Sequence, residues 1–233
     1  MKMVSLFEAL FFGDVLQSEF GSEIVKYYGY VMMVLLLVII VVLYMGMMIM
    51  NHSYSYRNFK NRQMLEYIWT VMPTFLLAML WCPSILNLYR MEDLKDPVWS
   101  FKAVGKQWYW TYEVNLKDGE TMVIDSYMDR DSGVELESGY RLLDVDWRLV
   151  APANAQISCY VTSSDVIHSF ALPGALLKAD AIPGRINVLP MKISQSCILY
   201  GQCSEICGIN HSFMPIVIEF VPVDVFMSFY GYN

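Results

Sequence analysis

Charge is what this chain has least of. Only 17% of its 233 residues are Asp, Glu, Lys or Arg, and 56% are hydrophobic; soluble domains carry roughly 25% charged residues. A chain this apolar cannot stay solvated as a coil, so disorder is excluded, and a simple soluble protein fits poorly. Basic residues are the scarcer sign, 16 against 23 acidic, for a net charge of −7. Nucleic acid is therefore not an expected partner, because phosphates need clusters of Lys and Arg. Five cysteines are too few for a disulfide scaffold, and three histidines leave little choice of imidazole ligands. Internal repeats and low-complexity tracts are absent.

The hydrophobic residues are concentrated instead in two long runs. Tyr28 to Met50 is uncharged, and as a helix it would be about 34 Å long, enough for a bilayer core of about 30 Å. Tyr67 to Tyr89 is uncharged as well, interrupted by Pro73 and Pro83; membrane helices tolerate proline where neighbours satisfy the freed carbonyls. The connector between them carries Arg57, Lys60 and Arg62 against Glu66 alone, whereas Glu8, Asp14, Glu19 and Glu23 outnumber Lys2 and Lys26 before the first run. The positive-inside rule then puts the connector inside and both termini outside. Glu8 interrupts the early apolar stretch, and no clear small-residue cleavage site follows, so the first segment reads as retained. The expected organisation is an outer segment 1–27, spans 28–50 and 67–90, an inner connector 51–66, and an outer domain 91–233.

That outer domain reads as all-β. Trp108, Trp110, Tyr112 and Val114 alternate with polar positions, as do Ile157, Cys159 and Val161, and Ile216, Ile218 and Phe220. Such segments, separated by Asp118-Gly119, Ser132-Gly133, Pro173-Gly174 and Pro183-Gly184, predict an antiparallel sandwich or barrel. The domain holds ten basic and eighteen acidic residues, net −8.

Most of the chemistry lies in GQCSEICGINHSFMP, Gly201 to Pro215, which offers Cys203, Glu205, Cys207, His211 and Met214. Soft sulfur with imidazole suits copper. Two thiolates on one short loop are close enough to bridge two metals, which points to a dinuclear centre. His52 lies on the inner connector, so His168 in SSDVIHSF is the outer candidate for a second imidazole. Two other readings stay open: a Cys203–Cys207 disulfide in an oxidising compartment, and structural zinc held by two Cys and two His. Cys82, Cys159 and Cys197 read as buried apolar residues.

The hairpin, VGKQWYWTYE, DVIHSF with LKADAIPGRIN, and GQCSEICGINHSFMP together resemble subunit 2 of the haem-copper cytochrome c oxidases, over nearly the whole chain. The resemblance implies a cupredoxin-like barrel on a two-helix transmembrane hairpin, holding a dinuclear copper A centre. By position, His168, Cys203, Cys207, His211 and Met214 would be side-chain ligands. Glu205 would bind copper through its carbonyl, and its carboxylate would bind a magnesium ion shared with subunit 1. Reduced cytochrome c would deliver electrons through Trp108, for passage to haem in subunit 1 and reduction of oxygen coupled to proton translocation. Glu66 matches the mouth of a proton pathway. Cytochrome c is lysine-rich, so an acidic docking face is expected, with Glu113, Asp125, Asp146 and Asp165 as its candidates. Phe170 stands where the family commonly has tryptophan, and LPGALLKAD replaces VPSLGLKTD, which affects packing beneath His168 rather than the ligands. A quinol oxidase subunit would lack these ligands. A membrane-tethered copper carrier or structural metal module would need neither QWYW nor Glu205. The expected location is the mitochondrial inner membrane, with the copper domain and both termini in the intermembrane space; a bacterial plasma membrane is the alternative.

Overall fold

The computed structural model describes residues 18–55, 62–92, 96–129 and 140–232. Glu8, Asp14, Arg57, Lys60 and the Ser132-Gly133 turn lie outside these residues. The chain divides into two compact units, Glu23–Arg90 and Met1–Ser22 with Met91–Asn233.

Two helices, α1 (Glu19–Asn51) and α2 (Gln63–Glu92), account for the first unit. Both are long and apolar enough to cross a bilayer. Each extends beyond its uncharged run, because helical hydrogen bonding continues into polar ends. In α2 those ends carry Glu66 in the first turn and Arg90 in the last, the signs that complement the helix dipole. Side chains such as Leu36, Val42 and Leu77 stay exposed, as groups facing lipid would. Cys82, expected to be buried, is exposed on α2. Pro73 and Pro83 sit inside α2 without ending it. Near Pro73 the Thr74 hydroxyl donates to the Thr70 carbonyl at 2.8 Å, a local bond available to a helical threonine. The Glu23 carboxylate pairs with both Lys26 and Arg90, joining α1 to α2.

The second unit is a β-structure of ten strands among the described residues: β1 (Trp99–Lys106), β2 (Tyr109–Asn115), β3 (Thr121–Ser126), β4 (Leu149–Pro152), β5 (Ile157–Ser163), β6 (His168–Leu172), β7 (Leu177–Ala181), β8 (Asn187–Met191), β9 (Cys197–Gln202) and β10 (Pro215–Val221), followed by α3 (Val223–Phe229). One sheet runs β3-β2-β1-β5-β8, a second β4-β10-β9, and β6 pairs with β7. Pairing is not wholly antiparallel as expected: β1 runs parallel to β5, and β4 to β10. The chain therefore crosses between sheets rather than only folding back on itself. The predicted apolar faces do point inward. Trp110, Tyr112, Ile157, Phe170, Ile218 and Phe220 are almost wholly buried in one core, and removing one such aromatic to Ala typically costs about 3–5 kcal/mol.

Trp108 breaks the pattern. It does not share the strand face of Trp110 but occupies, with Gln107, the turn between β1 and β2, half-buried against the core.

Candidate metal centre

The copper-type motif is the loop between two antiparallel strands. β9 ends at Gln202 and β10 begins at Pro215, and these two residues are cross-strand partners, so Cys203 to Met214 is closed at its base. Gly208 has φ +127°, a left-handed-side conformation that L side chains rarely adopt, and the indole of Trp108 lies over it. A short 3-10 turn, His211–Phe213, then brings His211 and Met214 back toward the cysteines. The Ser204 N–H donates to the Ser169 carbonyl at 3.1 Å, fastening the loop beside His168, the first residue of β6.

The donor atoms converge. Cys203 Sγ lies 3.9 Å from Cys207 Sγ, 3.8 Å from His168 Nδ1 and 3.3 Å from the Glu205 carbonyl oxygen. Cys207 Sγ lies 3.5 Å from His211 Nδ1 and 3.5 Å from Met214 Sδ. Metal-ligating atoms of His168, Cys203 and Cys207 all fall within 4.8 Å of one another. The five cysteines are free thiols, and 3.9 Å is far beyond the roughly 2.05 Å of an S–S bond, so this structure does not contain the disulfide. Cys203, Cys207, Met214 and His168 are buried, which shields the site from water.

The protonation pattern follows from this crowding. Burial pushes the Cys203 thiol up, but hydrogen bonding with His168 and with backbone at Glu205 and Ser169 outweighs it and brings its pKa to about 6. Burial and the neighbouring Cys203 charge push Cys207 up to about 12. Burial alone would lower His168, yet its bonds to Cys203 and Asp165 raise it on balance.

The remaining candidates are placed as follows. Glu205 has an exposed side chain and turns its carbonyl, not its carboxylate, toward Cys203. Trp108 Nε1 is buried without a hydrogen-bond partner among the described residues. Its ring helps line an open pocket of about 510 Å³ with Tyr109, Tyr127, Met128 and Phe213. Glu113 pairs with Lys102 at 3.0 Å, Asp125 accepts from the Thr111 hydroxyl at 2.6 Å, and Asp146 accepts from the N–H groups of Tyr127 and Trp147. Asp165 bonds His168 Nε2 at 2.8 Å. Glu66 is exposed on α2, away from the β-domain in sequence. Phe170 packs edge-on against Trp110, ring centroids 5.3 Å apart, and Trp110 in turn meets the His168 ring.

Two contributors carried no sequence signal of their own. A β-carbon on Gly105 would meet the His168 ring. The Gln107 side chain donates to the Cys207 carbonyl at 2.8 Å.

The model of the cytochrome c oxidase subunit II periplasmic domain matches residues 99–221, and that of the transmembrane domain of the same subunit matches residues 9–86. Cytochrome c oxidase subunit 2 of Mytilus edulis is 54% identical over 235 residues, covering 96% of this chain and 97% of that protein. The same subunit of Drosophila melanogaster is 39% identical over 211 residues, 91% of each chain. The crystal structure of the periplasmic domain of subunit II of cytochrome oxidase from Bradyrhizobium japonicum is 42% identical, with a TM-score of 0.54 over 60% of this chain and 95% of that one. This chain, a membrane-anchored cupredoxin-like protein, belongs to the cytochrome c oxidase subunit II family.

Proposed function

We propose that the chain takes electrons from reduced cytochrome c at a dinuclear copper A centre and passes them to haem in subunit 1 of the oxidase, where oxygen is reduced to water with coupled proton translocation. The observation that carries this reading is the donor set. Two thiols 3.9 Å apart each have an imidazole nitrogen and one further donor within 4 Å. Structural zinc closes its shell with four ligands, whereas six donors converge here, a set that suits two copper ions. His168, Cys203, Cys207, His211, Met214 and the Glu205 carbonyl would hold the pair, which would supply one-electron transfer. The chain's own part is to keep these donors fixed and dry.

Further roles follow from the same reading. The Glu205 carboxylate is free to reach a magnesium ion shared with subunit 1. Trp108, touching the ligand loop from the surface pocket, is where electrons arrive. Glu113, Asp125, Asp146 and Asp165 contribute to an acidic face for cytochrome c, and Glu66 lies at the start of a proton route into subunit 1. The animal relatives favour the mitochondrial inner membrane, with the copper domain in the intermembrane space.

Metal analysis and electron paramagnetic resonance of the purified oxidase test the proposal. Two coppers per chain and a seven-line hyperfine pattern are expected. Cys203→Ser and Cys207→Ser should each abolish that pattern, and Met214→Leu should disturb it less, because a weak thioether ligand mainly tunes potential. One copper with a four-line spectrum, or zinc in its place, would overturn the dinuclear reading.

A further inference from the structure

Asp165 does something that an exposed docking acid need not do. Its two carboxylate oxygens serve two different parts of the site. Oδ1 bonds His168 Nε2 at 2.8 Å and also accepts the Val166 N–H at 2.6 Å and the Ser163 hydroxyl at 3.3 Å. Oδ2 accepts the Gln107 backbone N–H at 2.7 Å. Gln107, in turn, reaches the ligand loop through its side-chain bond to the Cys207 carbonyl.

A carboxylate only accepts hydrogen bonds, so Nε2 of His168 must carry a proton. In the neutral ring that leaves the lone pair on Nδ1, the nitrogen facing Cys203. The ring is wholly buried, and Asp165 reaches its Nε2 from the surface side. From this arrangement we propose that Asp165 is a positioning residue. It locks His168 in the metal-binding tautomer, and with its other oxygen it pins the Gln107–Trp108 turn against the same centre. The inference rests on the copper reading given above. Glu113 and Asp146 touch none of these groups. The two oxygens also make Asn an informative replacement. An Asn side chain has one acceptor oxygen, so it can face His168 or the Gln107 N–H but cannot accept from both.

The test uses the purified oxidase with Asp165→Asn, Asp165→Ala and, as a charge control, Glu113→Gln. Copper retention is measured against a competing chelator, together with nitrogen couplings by electron–nuclear double resonance. Loss of a partner behind a ligating histidine typically costs about 10- to 100-fold in metal affinity. A loss in that range and altered imidazole couplings are expected for both Asp165 variants, while Glu113→Gln keeps wild-type retention and spectrum. Asp165→Asn is nearly isosteric, so it reports even if the Ala variant does not assemble. Retention within about twofold of wild type and unchanged couplings in Asp165→Asn would overturn the positioning role, leaving only surface charge. An unsubstituted oxidase without a dinuclear copper signal would overturn the copper reading itself, and is seen before any variant is compared.

Discussion

The imidazole of His168 rests on the bare α-carbon of Gly105: a β-carbon there would lie 2.9 Å from Cδ2 and 3.0 Å from Cγ. Neither side can give way easily. Gly105 is held in β1 between β2 and β5, opposite Trp110 and Ser163, and the imidazole is fixed by Asp165. Gly105→Ala should therefore push the ring off its position at an overpacking cost of about 1–3 kcal/mol. The expected result is a folded β-domain by circular dichroism with much less than its full copper content by metal analysis.

A Trp108 variant tests the proposed electron entry apart from metal storage. The Trp108 indole makes no hydrogen bond among the described residues, so Trp108→Phe removes none and should leave the copper spectrum intact. Reduction by cytochrome c should slow sharply, and small artificial donors that reach copper by other routes should be much less affected. Stopped-flow reduction with both donors on one copper-replete variant checks this; equal slowing would make Trp108 a packing residue only.

An acidic face steering a basic carrier must weaken with salt, since the screening length is about 8 Å at physiological ionic strength. Association of cytochrome c should slow steeply as salt rises, and Asp146→Asn or Glu113→Gln should flatten that dependence. Asp146→Asn is the cleaner probe, because its side-chain oxygen can still accept from Tyr127 and Trp147. Glu113→Gln also leaves Lys102 without its ion-pair partner. An association rate indifferent to salt in the wild type would remove docking from all these residues.

In the metal-free protein the two ligand thiols should differ in reactivity. Burial pushes Cys203 up, but its hydrogen bonds win and leave it near 6, while Cys207 stands at about 12. At pH 7 the pair holds one proton, on Cys207, and only a thiolate is a good nucleophile. Alkylation of the chelated protein should mark Cys203 first. Its rate should fall about tenfold from pH 7 to pH 5, as protonation through a pKa near 6 removes the thiolate. Peptide mapping by mass spectrometry identifies the modified thiol, and Cys207 labelled first would reverse the assignment.

The ligand string was readable because it is local: Cys203, Cys207, His211 and Met214 lie on one loop between β9 and β10. His168 followed by elimination, there being only three histidines. The period-2 faces located the core strands, since inward alternation is a property of each strand alone. What failed was non-local. Trp108 continues the alternation of Trp110 and Tyr112, so nothing in spacing reveals that β2 begins only at Tyr109. The bond from the Gln107 N–H to Asp165 was equally illegible, because it joins positions 58 residues apart. The parallel pairings of β1 with β5 and β4 with β10 depend on how the sheets close, and Gly105 matters only through a ring that is 63 positions away along the chain.

The Gln107–Cys207 bond joins positions 100 residues apart, and the strand behind the ligand loop, β10, pairs with β4 across 69 residues, Ile218 against Leu149. Contacts of such high sequence separation carry a large loop-closure cost, which shorter-range pairings reduce. The hairpin and the first strands leave the ribosome with none of the metal donors assembled. The full donor set therefore exists only in a chain whose synthesis has passed Met214 and in which β6 has brought His168 to the loop. A complete site is in this sense a report that β6 and the ligand loop have met, because His168 is the one side-chain donor from outside the loop.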